Sequence, residues 1–286
     1  MNDMDEFFSR ANHLLERWED LLEGRSARPD WSHDAYRWRH DHQGMRLLPV
    51  KNPHRVALDD LLCIDRQKAE MLRNTDQFVR GRPANNALLW GARGTGKSTL
   101  IKAIFNAFVD RGLRLIEVEK EHLVDLVEIV DVLGDRRERF LLYCDDLSFE
   151  ADDAGYKSLK AVLEGSIAAP AQNVLIYASS NRRHLLPELK ADNQDVHRVD
   201  GEIHPGEAIE EKVSLSERFG LWLSFYPYSQ DDYLTIVEHW LRRLDAGSCE
   251  DDEATRLAAL RWAGQRGSRS GRVARQFAID QAGRAG

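Results

Sequence analysis

Cysteine is scarce in this chain of 286 residues: Cys63, Cys144 and Cys249 have neither an even count nor Cys-x-x-Cys spacing, which argues against a disulfide framework and against a zinc site. No apolar run approaches the ~20 residues needed to span a bilayer. The first residues, Met1 to Glu6, are acidic where a signal peptide would be basic. A cytoplasmic protein with no membrane partner is the expectation. Basic excess is missing too. The formal net charge is −8, so the chain as a whole does not attract nucleic acid, and only a local basic face would. No internal repeat is visible. The remaining balance, 42% hydrophobic and 31% charged, is that of a globular protein with room for one large or two ordinary domains.

Against this background one segment stands out. Gly91-Ala92-Arg93-Gly94-Thr95-Gly96-Lys97-Ser98 is a complete G-x-x-x-x-G-K-[ST] run. It follows the short apolar stretch Ala87 to Trp90 and opens, at Thr99, a stretch with Ile101, Ile104, Phe105 and Phe108 at helical spacing. Strand, glycine-rich loop and helix in that order form a phosphate-binding loop. Its glycines allow a tight turn that aims successive N–H groups at phosphate oxygens, and the helix adds its positive end. Lys97 is expected to reach the β- and γ-phosphates of a nucleoside triphosphate, and Ser98 to place its hydroxyl on Mg²⁺.

Further apolar runs at Leu113 to Val118, Phe140 to Cys144, Asn173 to Ser180 and Gly220 to Phe225 alternate with helical patterns. This predicts a parallel five-stranded sheet covered by helices, with ligands at the carboxyl ends of the strands. Asp145-Asp146 and Asn181 fall at those ends. The first carboxylate suits Mg²⁺ and the second can polarise an attacking water, which Asn181 could orient. From Ser229 the pattern is helical only, giving a small lid domain over residues 229–286 after an α/β domain over 56–228. Residues 1–55 form an N-terminal extension with an amphipathic helix from Glu6 to Glu23 and an irregular remainder. Within it, Tyr36-Arg37-Trp38-Arg39-His40 reads as a half-buried strand in preference to a stacking surface for single-stranded nucleic acid.

These motifs resemble the AAA+ ATPase superfamily. Gly91 to Ser98 is similar to Walker A, Phe140 to Asp146 to Walker B, and Asn181 to sensor 1. Ser216-Glu217-Arg218-Phe219 resembles the segment carrying an arginine finger, and Ser270 to Arg275 resembles sensor 2, with Arg272 the matching arginine. More closely, Asn85 to Gly94, Asp145 to Phe149, Ser180 to His184 and Ser214 to Trp222 resemble an uncharacterised bacterial family of predicted AAA+ ATPases. The resemblance implies a P-loop NTPase of AAA+ type that binds ATP with Mg²⁺, hydrolyses it and forms nucleotide-dependent homo-oligomers acting on a protein client. Arg182 and Arg183 are alternatives to Arg218 as the finger.

Two departures shape the expected activity. The second Walker B acid is Asp146 where most of the superfamily has glutamate, so the base sits about one methylene farther from water and hydrolysis is expected to be slow. Val118-Glu119-Lys120-Glu121-His122 is charged where unfoldases carry an aromatic-glycine pore loop, which disfavours threading of a polypeptide. An oligomerising switch or partner-remodelling ATPase is the resulting reading. A DNA-associated loader or regulator and a small-molecule phosphotransferase are the alternatives. Residues 186–212 hold eight acids against three bases, whereas residues 261–286 hold six arginines against one acid. The first is expected to be a solvated loop.

Overall fold

The computed structural model describes residues 30–41, 44–149, 153–165, 171–183, 185, 197–199, 202–204, 215–249 and 252–285. The expected amphipathic helix from Glu6 to Glu23 lies outside them, as does most of the acidic segment 186–212.

The five anticipated strands are present: β3 (Ala87–Gly91), β4 (Leu113–Val118), β5 (Arg139–Cys144), β6 (Val174–Ser180) and β9 (Leu221–Phe225). They run parallel in the order β9-β3-β6-β5-β4. The sheet nevertheless has seven strands. A hairpin of β1 (Ala35–Asp41) and β2 (Gly44–Pro49) extends it, with β1 parallel to β4 and β2 antiparallel on the outer edge. The residues between Gly44 and Pro49 do not read as a strand because Met-Arg-Leu-Leu-Pro lacks clean alternation. Proline is tolerated at the end of an edge strand, where its missing N–H has no ladder partner to lose.

The hairpin also explains the mixed aromatic and basic run. Tyr36 and Trp38 turn inward and are 1% and 4% exposed, and the Trp38 indole N–H donates to Asp125 Oδ2 at 3.0 Å. On the opposite face Arg37 and Arg39 pair with Glu117 and Glu119 beside β4 at 2.8 and 2.7 Å. Buried in this way, the Tyr36 and Trp38 rings are not open to stack on a nucleic acid.

Strand residues alternate between two cores. Leu88, Ile116, Leu142 and Ile176 pack under α3 (Leu126–Gly134) and α4 (Ala154–Glu164). Leu89, Leu141, Tyr143 and Tyr177 pack under α1 (Asp65–Val79) and α2 (Lys97–Phe108). The sequence from Leu58 to Phe78 has a helical pattern, and in the structure it splits into a 3-10 turn at Leu58–Asp60 and α1 proper. Cys63 between them has a left-handed φ of 59°, which interrupts any helix.

The lid comprises α5 (Gln230–Arg243), α6 (Glu253–Gln265) and α7 (Gly271–Ala285) around Tyr233, Val237, Leu241 and Phe277. Ser229 and Asp232 cap α5 reciprocally, as their spacing predicts. Within the acidic segment, β7 (His197–Val199) and β8 (Glu202–His204) pair antiparallel, so it carries a short hairpin.

Candidate nucleotide site

The loop between β3 and α2 takes its shape from glycines. Gly91 has φ +133°, and a Cβ there would lie 2.0 Å from the Phe225 carbonyl oxygen of β9. Only glycine lets the loop leave the sheet at this point. Gly94, at φ +77°, would strike Ser270 of the lid if it carried a Cβ.

Side chains from two strand ends, those of β5 and β6, converge on this loop and on the first turn of α2. Lys97 Nζ donates to the carbonyls of Gly91 and Ala92 at 2.8 and 2.7 Å, and to Asn181 Oδ1 at 3.1 Å. Burial pulls its pKa below the usual lysine value, against the opposing pull of Asp146 and Asp145. Asn181 in turn donates through Nδ2 to Asp146 Oδ1. Ser98 Oγ donates to Asp145 Oδ1 at 2.7 Å, an oxygen that also accepts from Ser179 Oγ and from the Asp146 N–H. Burial raises the Asp145 pKa, but hydrogen bonds from Ser179 and Ser98 outweigh it, so the carboxyl is held below the ordinary range and ionised at neutral pH. Asp146 sits at a left-handed φ of 50°, a conformation aspartate tolerates better than most residues.

All of this opens into one cavity of 890 Å³. Arg93, Gly94, Gly96, Lys97, Ser98 and Thr99 line one side, with Asp145, Asp146, Ser179 and Asn181 beside them. His54 to Val56 and Asp60 to Leu62 form a wall, Tyr228 lines the cavity just before the lid, and Trp240, Arg243, Arg272 and Arg275 face in from the lid. Thr95 is buried, and its hydroxyl donates back to the Ala92 carbonyl at 2.7 Å. A second hollow of 710 Å³ lies at the amino end of the sheet beside Arg136, Arg137 and Arg139. There Arg136 is already stacked on Trp31 and paired with Glu138, and Arg139 donates to the Gln172 carbonyl.

The structure therefore gathers Gly91 to Thr99, Asp145, Asp146, Asn181 and Arg272. It does not bring Arg218 to them. Arg218 precedes β9, whose first residue pairs with Ala87 at the start of β3, so it lies at the opposite end of the sheet from its own phosphate loop. Its guanidinium pairs with Glu164 at the end of α4. Arg182 and Arg183 are exposed beside Asn181, with Arg183 placed 5.5 Å over the Trp90 ring. Sequence reasoning missed Ser179, Tyr228 and Arg275. Ser179 shares the strand-end face of Asn181 by two-residue alternation, and Arg275 lies one helical turn past Arg272. Those spacings were the available signals.

A family described as "Protein of unknown function (DUF815)" matches residues 31–285. The chain belongs to this family. No curated protein matches. Among solved structures, one point mutant of RuvB from Thermotoga maritima is similar at 15% identity and a TM-score of 0.50, covering 78% of this chain and 63% of that one. A second point mutant of the same protein is similar at 17% identity and a TM-score of 0.49, covering 78% and 64%. The chain thus spans less than two thirds of the length of these structures. At this identity the likeness concerns the fold, which for this member of the family is the AAA+ fold expected from its motifs.

Proposed function

We propose that the protein binds ATP with Mg²⁺ in the cavity between the phosphate loop and the lid, hydrolyses it slowly, and uses the nucleotide state to switch its assembly and its hold on a protein partner. The observation that carries this reading is the continuous polar chain Lys97–Asn181–Asp146, with Ser98–Asp145 beside it, on a loop where neither Gly91 nor Gly94 has room for a side chain.

In this reading the loop's N–H groups and Lys97 hold the phosphates, and Arg272 and Arg275 close on them from the lid. Lys97 exchanges the Gly91 and Ala92 carbonyls for phosphate oxygens, a charge-assisted bond in place of a neutral one. The Ser98 hydroxyl and the ionised Asp145 carboxylate are hard oxygen donors of the kind Mg²⁺ takes alongside phosphates and water. When bound, Mg²⁺ neutralises charge developing on the transferring phosphoryl group. Asp146 accepts a proton from the attacking water, oriented through Asn181. Arg218, remote from its own loop, serves a neighbouring copy as the finger.

The arginines of the lid support this reading over a DNA-associated one. Arg272 and Arg275 face the cavity, Arg266 stacks on Trp262, and Arg284 pairs with Asp280, leaving few positions of that cluster to contact a phosphate backbone. The test is size-exclusion chromatography with light scattering in ADP and in a non-hydrolysable ATP analogue, alongside phosphate release without any acceptor. A larger species only with the analogue, and release dependent on Asp146, support the proposal. Identical mass in both, with no release until an acceptor is added, overturns it in favour of a phosphotransferase.

A further inference from the structure

A tyrosine hydroxyl lies buried beneath the site. Two-residue alternation along β5 puts Leu141, Tyr143 and then Asp145 on the side of the sheet that α2 covers. The Tyr143 ring is 0% exposed. Lys102, one helical turn after Ser98, holds its ammonium 5.7 Å from the ring centroid. Among the described residues the Tyr143 hydroxyl has no aligned hydrogen bond, although Ser98 and Asp145 are its polar neighbours. Fully buried hydroxyls without a partner are rare, because the lost hydration is not replaced.

Asp145 shows where that hydroxyl belongs. Its Oδ1 accepts from Ser98 Oγ, Ser179 Oγ and the Asp146 N–H at once. If Ser98 turns a lone pair to a divalent cation, as the proposed function requires, its O–H must reorient with it, so one of the three donors on Asp145 shifts at the moment the carboxylate's orientation matters most. A phenol is a hydrogen-bond donor at neutral pH, and the one beneath this carboxylate already helps to hold its pKa down without being aligned on it.

We propose that Tyr143 is a positioning residue for the metal site: its hydroxyl donates to the Asp145 carboxylate and fixes it when Ser98 engages the cation. Partners behind a metal ligand of this kind typically contribute about 10- to 100-fold to metal affinity. No proton is transferred and no bond other than hydrogen bonds changes. Phenylalanine at this position would keep the ring and its packing.

The inference rests on the nucleotide-site reading, so its test separates the two. Mn²⁺ affinity is measured by electron paramagnetic resonance for the full chain saturated with a non-hydrolysable ATP analogue, and analogue affinity is measured separately in EDTA. Tyr143→Phe should weaken Mn²⁺ by about 10-fold or more and leave metal-free analogue affinity unchanged. Ser98→Ala should also weaken Mn²⁺. If Ser98→Ala weakens it and Tyr143→Phe does not, the Tyr143 inference is overturned and the site reading stands. If neither variant alters Mn²⁺ affinity, the site reading fails and takes the inference with it. Should Tyr143→Phe not fold, Tyr143→Met offers a second apolar side chain without a donor, with the same expected loss and the same contrary result.

Discussion

The two ends of the sheet use the same kinds of residue for opposite purposes. At the amino end, asparagines are locked to backbone. Asn74 donates to the Asn85 carbonyl at 2.8 Å and accepts the Asn85 N–H at 3.0 Å. Asn86 accepts the Ile176 N–H, and Asn173 donates to the carbonyls of Leu133 and Arg136. At the carboxyl end, Asn181 bonds, among the described residues, only to the ionisable side chains Lys97 and Asp146. Backbone partners cannot leave, whereas side-chain partners can turn toward a ligand. An asparagine bonded to fixed groups is a brace, and one suspended between a lysine and a carboxylate is a component that a phosphate can displace.

The sharpest way to break this contrast is through Arg218, which belongs to the amino end by position but by proposal to another copy's carboxyl end. Arg218→Ala should lower turnover by about 10³- to 10⁵-fold with ATP affinity kept, and mixing it with Asp146→Asn should restore part of the activity. Turnover independent of protein concentration, with no rescue on mixing, would place the arginine of catalysis in cis. Asp146→Asn alone should lower turnover by about 10²- to 10⁴-fold while a fluorescent ATP analogue still binds. For Lys97→Ala the loss should appear in binding itself, about 10- to 100-fold by titration, the scale of a charge-assisted hydrogen bond. Neither carboxyl-end variant should lower the melting temperature appreciably.

The amino end should answer in the opposite way. Asn74→Ala strands the part-buried Asn85 N–H and carbonyl and takes a buried partner from the Tyr177 hydroxyl, at up to about 1–3 kcal/mol each, so thermal unfolding should move down by several degrees while the folded fraction binds nucleotide as before. A loss of affinity at unchanged stability would dissolve the distinction between brace and component.

The smallest effect concerns the lid. Glu238 is 4% exposed; burial raises its pKa, but the Cys249 N–H, Ser248 and Arg242 outweigh this and bring it to about 2. A carboxyl depressed in the folded state stabilises above its unfolded pKa, near 4.5, and loses that contribution as pH falls toward 2. Glu238→Gln should flatten the melting temperature against pH in that window and change little at pH 7 beyond the hydrogen bonds it weakens. A wild-type slope retained in the variant would assign the acid sensitivity elsewhere.

Much of the carboxyl end was legible in the sequence because its constraints are local. Gly91 must lack a side chain beside Phe225, and the residues that must follow it are adjacent in the chain. The five parallel strands were legible because strands buried on both faces read as unbroken apolar runs. The second strand of the edge hairpin was not, since an edge strand needs neither an unbroken nor an alternating pattern. The break after Asp60 was hidden because a left-handed cysteine has no sequence signature. Ser179, Tyr228 and Arg275 escaped because each reaches the site alone, from an element that other residues define. Tyr143 read as core, and its ring is core, while its hydroxyl is not accounted for by packing.

The phosphate loop also has a second side. In the proposed function its N–H groups hold the phosphates, while the Gly94 carbonyl accepts the Gly271 N–H at 3.0 Å and the Thr95 carbonyl accepts the Tyr228 hydroxyl at 2.9 Å. Ser270, at the start of α7, lies where a Gly94 side chain would be. The loop is thus a shared bearing: the ligand presses on one face and the lid is pinned to the other. The lid cannot tilt without breaking these two bonds or dragging the loop along. On the proposed function, a molecule that grips α6 or α7 is therefore expected to alter the phosphate cradle without touching it. By linkage, nucleotide then changes the affinity of that molecule by the same factor.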